Sequence, residues 1–197
     1  MKKTAFAFHT ALIILEIAAL VHDLQSFGLG MFKYYTIDSN LLQLAVSALS
    51  LLYLWEKTPN WLLTLHLVCA VCLTITFLIA AAVLAPQEGF AYYFLSDVAP
   101  INHFLAPVLS VVTFILMSGS DPLPKKAALA PMGATLFYGV IALGLNAAQI
   151  IDGPYFFLRV YVENPRTIVM WFAIIAVLCL VLGFAYWHFR QKRASRR

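Results

Sequence analysis

Hydrophobic positions in this chain do not alternate with polar ones; they gather into long runs, with polar residues crowded toward the run ends. The runs lie at about 5–22, 37–55, 61–85, 98–118, 127–149 and 167–189. An apolar run of roughly 18 or more residues reads as a membrane-spanning helix, because about 20 residues cross the hydrocarbon layer. Connections are short, and nothing remains for a second domain. The pattern predicts an all-α polytopic membrane protein, residues 1–197 as one compact bundle of six transmembrane helices with sequence neighbours antiparallel.

The polar positions are patterned too. The stretch from Lys33 to Gln43 (Lys-Tyr-Tyr-Thr-Ile-Asp-Ser-Asn-Leu-Leu-Gln) runs straight into the second apolar segment. From there Thr36, Ser39, Asn40, Gln43, Ser47 and Ser50 recur at helical spacing as one stripe. In the fourth run Asn102 and His103 lead a face that continues through Ala106, Ser110 and Thr113. Pro107 has no N–H for the carbonyl of His103, so a kink with a free carbonyl is expected there. Exposed backbone at that depth is tolerated only against protein or a wet cavity, which predicts a polar pocket at His103. The fifth run ends in Asn146, Gln149 and Asp152 on one face, and its Gly133, Gly139 and Gly144 suit close helix approach. In the first run Glu16 and Asp23 are nearly eclipsed on a helix. An ionisable group at mid-membrane costs roughly 2.5–3.5 kcal/mol on insertion scales and faces the bundle interior. Glu16 is therefore expected inside, joining helices or orienting a neighbouring histidine or hydroxyl.

Composition sharpens this picture. Of 197 residues, 62% are hydrophobic and only 11% charged, against about 25% charged in a soluble domain. The opening Met1-Lys2-Lys3 resembles a secretory signal, but the apolar run after it is long, carries Glu16 and lacks a small-x-small cleavage site, so it reads as the first span. Lys2, Lys3, Lys57, Lys125, Lys126, Arg190, Lys192, Arg193, Arg196 and Arg197 fall on one side, and only Lys33, Arg159 and Arg166 on the other. That bias places both termini in the cytoplasm, with a basic rim facing anionic lipid (the inner membrane, if the source is bacterial). There is no nucleic-acid module, and oligomeric state is not encoded in the pattern.

Cys69, Cys72 and Cys179 all sit inside runs, which argues against a disulfide framework and for ordinary packing. His66, Cys69 and Cys72 share a face, but no further ligand accompanies them, so no metal and no cofactor is expected. A haem between His22 and His103 is an alternative that a Soret band would reveal.

With this orientation, His22, Asp23, Thr36, Asp38, Asn40, Gln43, Asp97, Asn102, His103, Asn146, Gln149 and Asp152 all cluster at the extracytoplasmic ends, and the cytoplasmic halves look nearly featureless. Convergent polar groups in an apolar bundle predict a binding or catalytic pocket. A threonine hydroxyl needs a base to become nucleophilic, and histidine is the usual base near neutral pH. Thr36 and His103 sit at one depth on different helices, and the helix N-terminus at Thr36 offers free N–H groups for an oxyanion. Asp38, Asp97 or Asp23 would orient the imidazole. Equally, Thr36, Ser39 or Asn40 would serve as a helix cap.

The segment Lys33–Gln43 resembles the Lys-aromatic-x-Thr…Gln segment of the androgen-induced and androgen-dependent TFPI-regulating protein family, and still more the Phe-Thr-Ile-x-Ser-Asn-Leu-Leu segment of its six-span bacterial relatives. His103-Phe-Leu-Ala-Pro107 is similar to that family's His-x-x-x-Pro, and Gly153-Pro154-Tyr155-Phe156-Phe157-Leu158 to its Tyr-Pro-Phe-Leu. The animal members are membrane threonine hydrolases of fatty acid esters of hydroxy fatty acids. The resemblance implies Thr36 as nucleophile, His103 as base, and a lipid or fatty-acid-ester substrate, with the membrane bilayer as surroundings. Asp38, Asn40, Gln43, Asp97, Asn102, Asn146 and Gln149 are expected to line or orient the substrate. Arg159 stands where the family usually has an acidic residue; it or Arg166 suits a lipid carboxylate at the membrane face. The competing reading is a non-enzymatic lipid or small-molecule transporter or binding protein.

Overall fold

The computed structural model describes residues 2–118 and 122–195. Met1, Arg196 and Arg197, used above in reading the N-terminus and the orientation, lie outside the described residues. The described residues form helices and turns, with no strand among them. The long helices are α1 (Lys2–Phe27), α2 (Tyr35–Leu52), α3 (Asn60–Glu88), α4 (Ile101–Met117), α5 (Ala130–Ala147) and α6 (Pro165–Ala194). Four segments, Lys2–Lys33, Asn60–Glu88, Lys125–Ala147 and Pro165–Arg193, are long and apolar enough to cross a membrane. Helix α4 is apolar but shorter, and the polar stripe on α2 keeps it out of that set.

The helices are amphipathic in the inverted sense. Helix α1 buries Ala5, His9, Leu12, Glu16, Ala19 and Asp23, spaced alternately by four and three residues, and turns Ile14, Ile17, Val21 and Leu24 outward. Half of the buried stripe is polar while the outer face is aliphatic, which is what hydrocarbon outside and protein inside require. Helix α3 is the axis of the bundle: 67% of its apolar window is buried, against 17% for α6. Its Leu67, Val71 and Ile75 share one core with Phe114 of α4 and Cys179 of α6. The three cysteines are free and buried, as packing residues. His66 turns to Thr113 (3.0 Å) while Cys72 turns to Thr135 (3.7 Å), so they do not converge.

Small residues decide the α5–α6 contact at fewer positions than the sequence suggests. Gly139 lies under the Phe172 ring, where an added methyl would sit 3.0 Å from the ring carbons. Gly183 of α6 rides directly on the Ala128 carbonyl, leaving no room for a side chain. Gly133 and Gly144, by contrast, face open space.

Two helices carry the same irregularity. A π turn, Ala80–Leu84 in α3 and Ile101–Leu105 in α4, is succeeded each time by Ala-Pro, at Ala85-Pro86 and Ala106-Pro107. Proline cannot donate to the carbonyl four residues back and its ring crowds that carbonyl; one extra residue in the preceding turn relieves the crowding. In α4 the turn closes through Ala106 N–H to the Ile101 carbonyl. The kink expected at His103 thus takes the form of a π turn containing it.

The half expected to be featureless is not. The His9 Nδ1 meets Ser47 Oγ (3.4 Å), the His9 and His66 rings are 5.5 Å apart, and Arg190, 1% exposed, bonds Ser118 through its side-chain and carbonyl oxygens (3.1 and 2.9 Å). His9 shares the buried face of α1 with Glu16 and Asp23, and Ser47 belongs to the polar stripe of α2. Which of them meet is set by tertiary packing, and the spacing along one helix does not record it.

Candidate functional site

A cavity of about 520 Å³ opens among the Asp23 end of α1, the start of α2, the π turns of α3 and α4, and the loop before α6. Asp23, Thr36, Asn102, His103, Tyr155 and Arg159 all line it. Thr36 lies in the first turn of α2, where the Tyr34 carbonyl accepts from the N–H groups of Ile37 (3.1 Å) and Asp38 (3.2 Å). The N–H groups of Tyr35 and Thr36 precede those first intrahelical bonds and are free to point out of the helix end. The Tyr155 hydroxyl lies against both of them and against the Thr36 side chain. That hydroxyl is deeply buried, which pushes its pKa up to about 12, with the hydrogen bonds from Thr36 and Tyr35 opposing the shift; it is a neutral phenol at physiological pH. A stack runs from the Tyr155 ring through Phe157 (5.4 Å) to Trp171 (5.2 Å) and holds it there.

The start of α2 is pinned from outside the helix. Tyr138 donates to the Lys33 carbonyl (2.6 Å), and the Tyr35 hydroxyl pairs with Thr135 Oγ1 (2.8 Å). Within α2, Ser39 Oγ bonds back to the Tyr35 and Thr36 carbonyls (2.8 and 3.0 Å), so it does not serve as the N-cap. Asn40 Nδ2 donates to the Thr36 carbonyl (2.9 Å) and reaches the Asn102 carbonyl on α4 (3.4 Å). Asn102 Nδ2 in turn donates to Asp23 Oδ2 (2.9 Å), whose other oxygen is 3.6 Å from His22 Nδ1. One polar chain therefore joins α1, α4 and α2 directly behind Thr36.

His103 occupies the π turn of α4, edge-on to the Tyr93 and Phe94 rings at 5.5 and 6.2 Å. Its Nδ1 is buried without a well-formed hydrogen bond, and the Ala99 and Tyr93 carbonyls lie close by. Asp23 is the carboxylate whose field reaches it. Thr36 and His103 face one cavity from separate helices, and among the described residues the Thr36 hydroxyl is engaged by Tyr155 rather than by His103.

The other sequence candidates divide. Asn102, Arg159 and Asp97 line the cavity; Arg159 also donates to the Gly153 carbonyl (3.2 Å), and Asp97 holds a left-handed φ of 44°. Asn40 stands behind the wall as the link to Asn102. Asp38 is half-buried and off the cavity. Gln43 is fully buried, donating to Ser47 (2.8 Å) and accepting from Ser110, so it locks α2 to α4. Asn146 fastens the outer loop: it donates to the Ile151 carbonyl and accepts from the Val160 N–H, at 2.9 and 2.8 Å. Gln149 is exposed at φ 59°, in the turn that ends α5. Asn146→Ala should therefore cost about 1–3 kcal/mol of stability, the cost of orphaning two part-buried backbone groups, while the cavity chemistry per folded molecule is retained; paired thermal unfolding and activity measurements check this.

Sequence reasoning missed the hydroxyl wall of Tyr35, Thr76, Thr135 and Tyr138, all of which line the cavity. It named Tyr155 only as part of a motif. The usable signal was Gly153, whose added Cβ would lie 2.6 Å from the Leu158 carbonyl oxygen, so the loop folds back on itself and aims Tyr155 inward. Searches against protein families, curated proteins and solved structures return no match for this chain.

Proposed function

We propose that this protein is a six-span membrane lipid ester hydrolase, with α2 and α4 completing the set of spans and both termini cytoplasmic, acting on fatty acid esters of hydroxy fatty acids or similar esters. The observation that carries the reading is the meeting, at one cavity in an otherwise apolar bundle, of a threonine, a histidine and two N–H groups at the start of α2 that only the Tyr155 hydroxyl covers. Its volume, about 520 Å³, falls in the ~300–1,000 Å³ range of small-molecule sites. That is enough for an ester centre with parts of its chains.

In this reading the ester carbonyl displaces the Tyr155 hydroxyl from the N–H groups of Tyr35 and Thr36. Thr36 Oγ1 attacks the carbonyl carbon as His103 takes its proton. The oxyanion rests on the two N–H groups, and collapse of the tetrahedral intermediate expels the alcohol, protonated by His103. A water, deprotonated by His103, then attacks the threonyl ester; the acid leaves and His103 returns the proton to Thr36 Oγ1. Arg159, which lines the cavity, would hold a carboxylate head.

The test is hydrolysis of ester-linked lipids by the purified protein, with release of acid and alcohol in equal amounts. A non-enzymatic lipid carrier is the second reading, favoured by Tyr155 sitting on Thr36 in the resting state; a protein that binds such esters and leaves them intact decides for it. Tyr155→Phe removes a contact that the hydrolase must break. It should raise kcat/KM by roughly 2–10-fold, the worth of one hydrogen bond. A fall of about a hundredfold would instead put the hydroxyl into the chemistry.

A further inference from the structure

Behind the reaction cavity a second hollow of about 10 Å³ lies between α1, α2 and α4, lined by Glu16, Asp23, Asn40 and Asn102 among aliphatic neighbours. These four side chains are 2, 5, 4 and 5% exposed. Three of them present an oxygen without a hydrogen-bond partner among the described residues: Glu16 Oε1, Asn40 Oδ1 and Asn102 Oδ1. The amide orientations are set by their nitrogens, which are committed to the Thr36 carbonyl and to Asp23 Oδ2 (2.9 Å each). Flipping either amide would break those bonds. With Glu16 ionised, the hollow is walled by acceptors.

Buried unpaired polar atoms cost about 1–3 kcal/mol each, so three around one hollow point to an occupant that satisfies them together. A water has two hydrogens to give, one too few, and about 10 Å³ is at the lower edge of the ~10–15 Å³ that a water needs. A small bare cation accepts all of these oxygens at once. The ligand set is all oxygen, which excludes metals that favour nitrogen and sulfur. Magnesium keeps several waters and calcium gathers about six to eight oxygens, more than four side chains in so tight a space provide. Glu16 and Asp23 are the two carboxyl groups of the set, and an ionised Glu16 would be the charge that the ion balances.

We propose that Glu16, Asp23, Asn40 and Asn102 bind a sodium ion. The ion would clamp α1, α2 and α4 where Asn40 holds the Thr36 carbonyl and Asn102 adjoins His103, and so would fix the separation of those two side chains. The inference does not depend on the hydrolase reading, because its readout is binding.

The experiment compares thermal unfolding of the purified full chain in sodium, potassium and choline chloride at equal ionic strength, with retention of radioactive sodium measured in parallel. Sodium alone should raise Tm, saturably and by several degrees, as expected for a ligand of the native state. Glu16→Gln should abolish both the shift and the retained sodium. The wild-type salt series stands even if that variant folds poorly. Equal Tm in all three salts with no sodium retained would overturn the proposal in favour of a water beside a neutral Glu16. A response to calcium chloride but not to sodium would overturn the identity of the ion.

Discussion

If the protein is the proposed hydrolase, Thr36→Ala should abolish ester cleavage and labelling by a fluorophosphonate probe, with kcat falling on the order of 10⁴-fold or more, while the protein remains folded. Loss of a nucleophile removes the covalent route altogether, leaving the oxyanion donors and binding to provide a residual rate. The fold should tolerate the change well. Thr36 is half-buried, its side chain pairs with a tyrosine hydroxyl at the cavity surface, and alanine suits a helical first turn. His103→Gln should fall comparably, and the double variant no further, because a nucleophile and its base act as one unit. Equal probe labelling of wild type and Thr36→Ala would remove Thr36 from the chemistry.

Gly153→Ala is the most damaging single methyl expected in the outer loop. The added carbon would lie 2.6 Å from the Leu158 carbonyl oxygen, 2.7 Å from its carbon and 2.8 Å from Arg159 Cγ. Two of these atoms are backbone, so a rotamer change cannot relieve them, and the segment Pro154–Leu158 must open. Overpacking of this kind costs about 1–3 kcal/mol or more. Here it also displaces Tyr155, undoes the stack on Phe157 and Trp171, and moves Arg159 off the cavity wall. Expected together are a lower Tm and a loss of hydrolysis of at least roughly tenfold per folded molecule. The same substitution at Gly133 or Gly144, which face open space, should do neither.

The helical segments and their inverted amphipathicity were legible because both derive from one-dimensional spacing. The site was legible where polarity clustered locally: Thr36, Asn102 and His103 all reach the cavity wall, with Asn40 bonded just behind it. It was illegible where helical phase is interrupted. A regular helix would carry His103 on the face of Ala106, Ser110 and Thr113. The π turn puts Asn102 on that buried face instead and leaves His103 half-exposed to the cavity. Asn146 and Gln149 looked like pocket residues because they share a helix end with the others, yet one fastens a loop and the other turns a corner. Which polar residue lines a site and which merely closes a loop depends on backbone partners that adjacent letters do not record. The buried meeting of His9, His66 and Arg190 was invisible for the related reason that three separate helices bring them together.

The two Ala-Pro junctions divide labour along their helices. One surplus residue rotates everything before the proline by about a quarter to a third of a revolution relative to the segment beyond it. In α4 the segment beyond Pro107 keeps the phase that buries Ser110 and Thr113, while the π turn before it answers to the hollow through His103. In α3 the π turn itself, through Ala80 and Leu84, joins the core to the cavity wall. Substitutions within Ile101–Leu105 can therefore remodel what the protein accepts without disturbing how its helices nest, and deleting one residue from that turn would swing its wall away from the opening at a stroke.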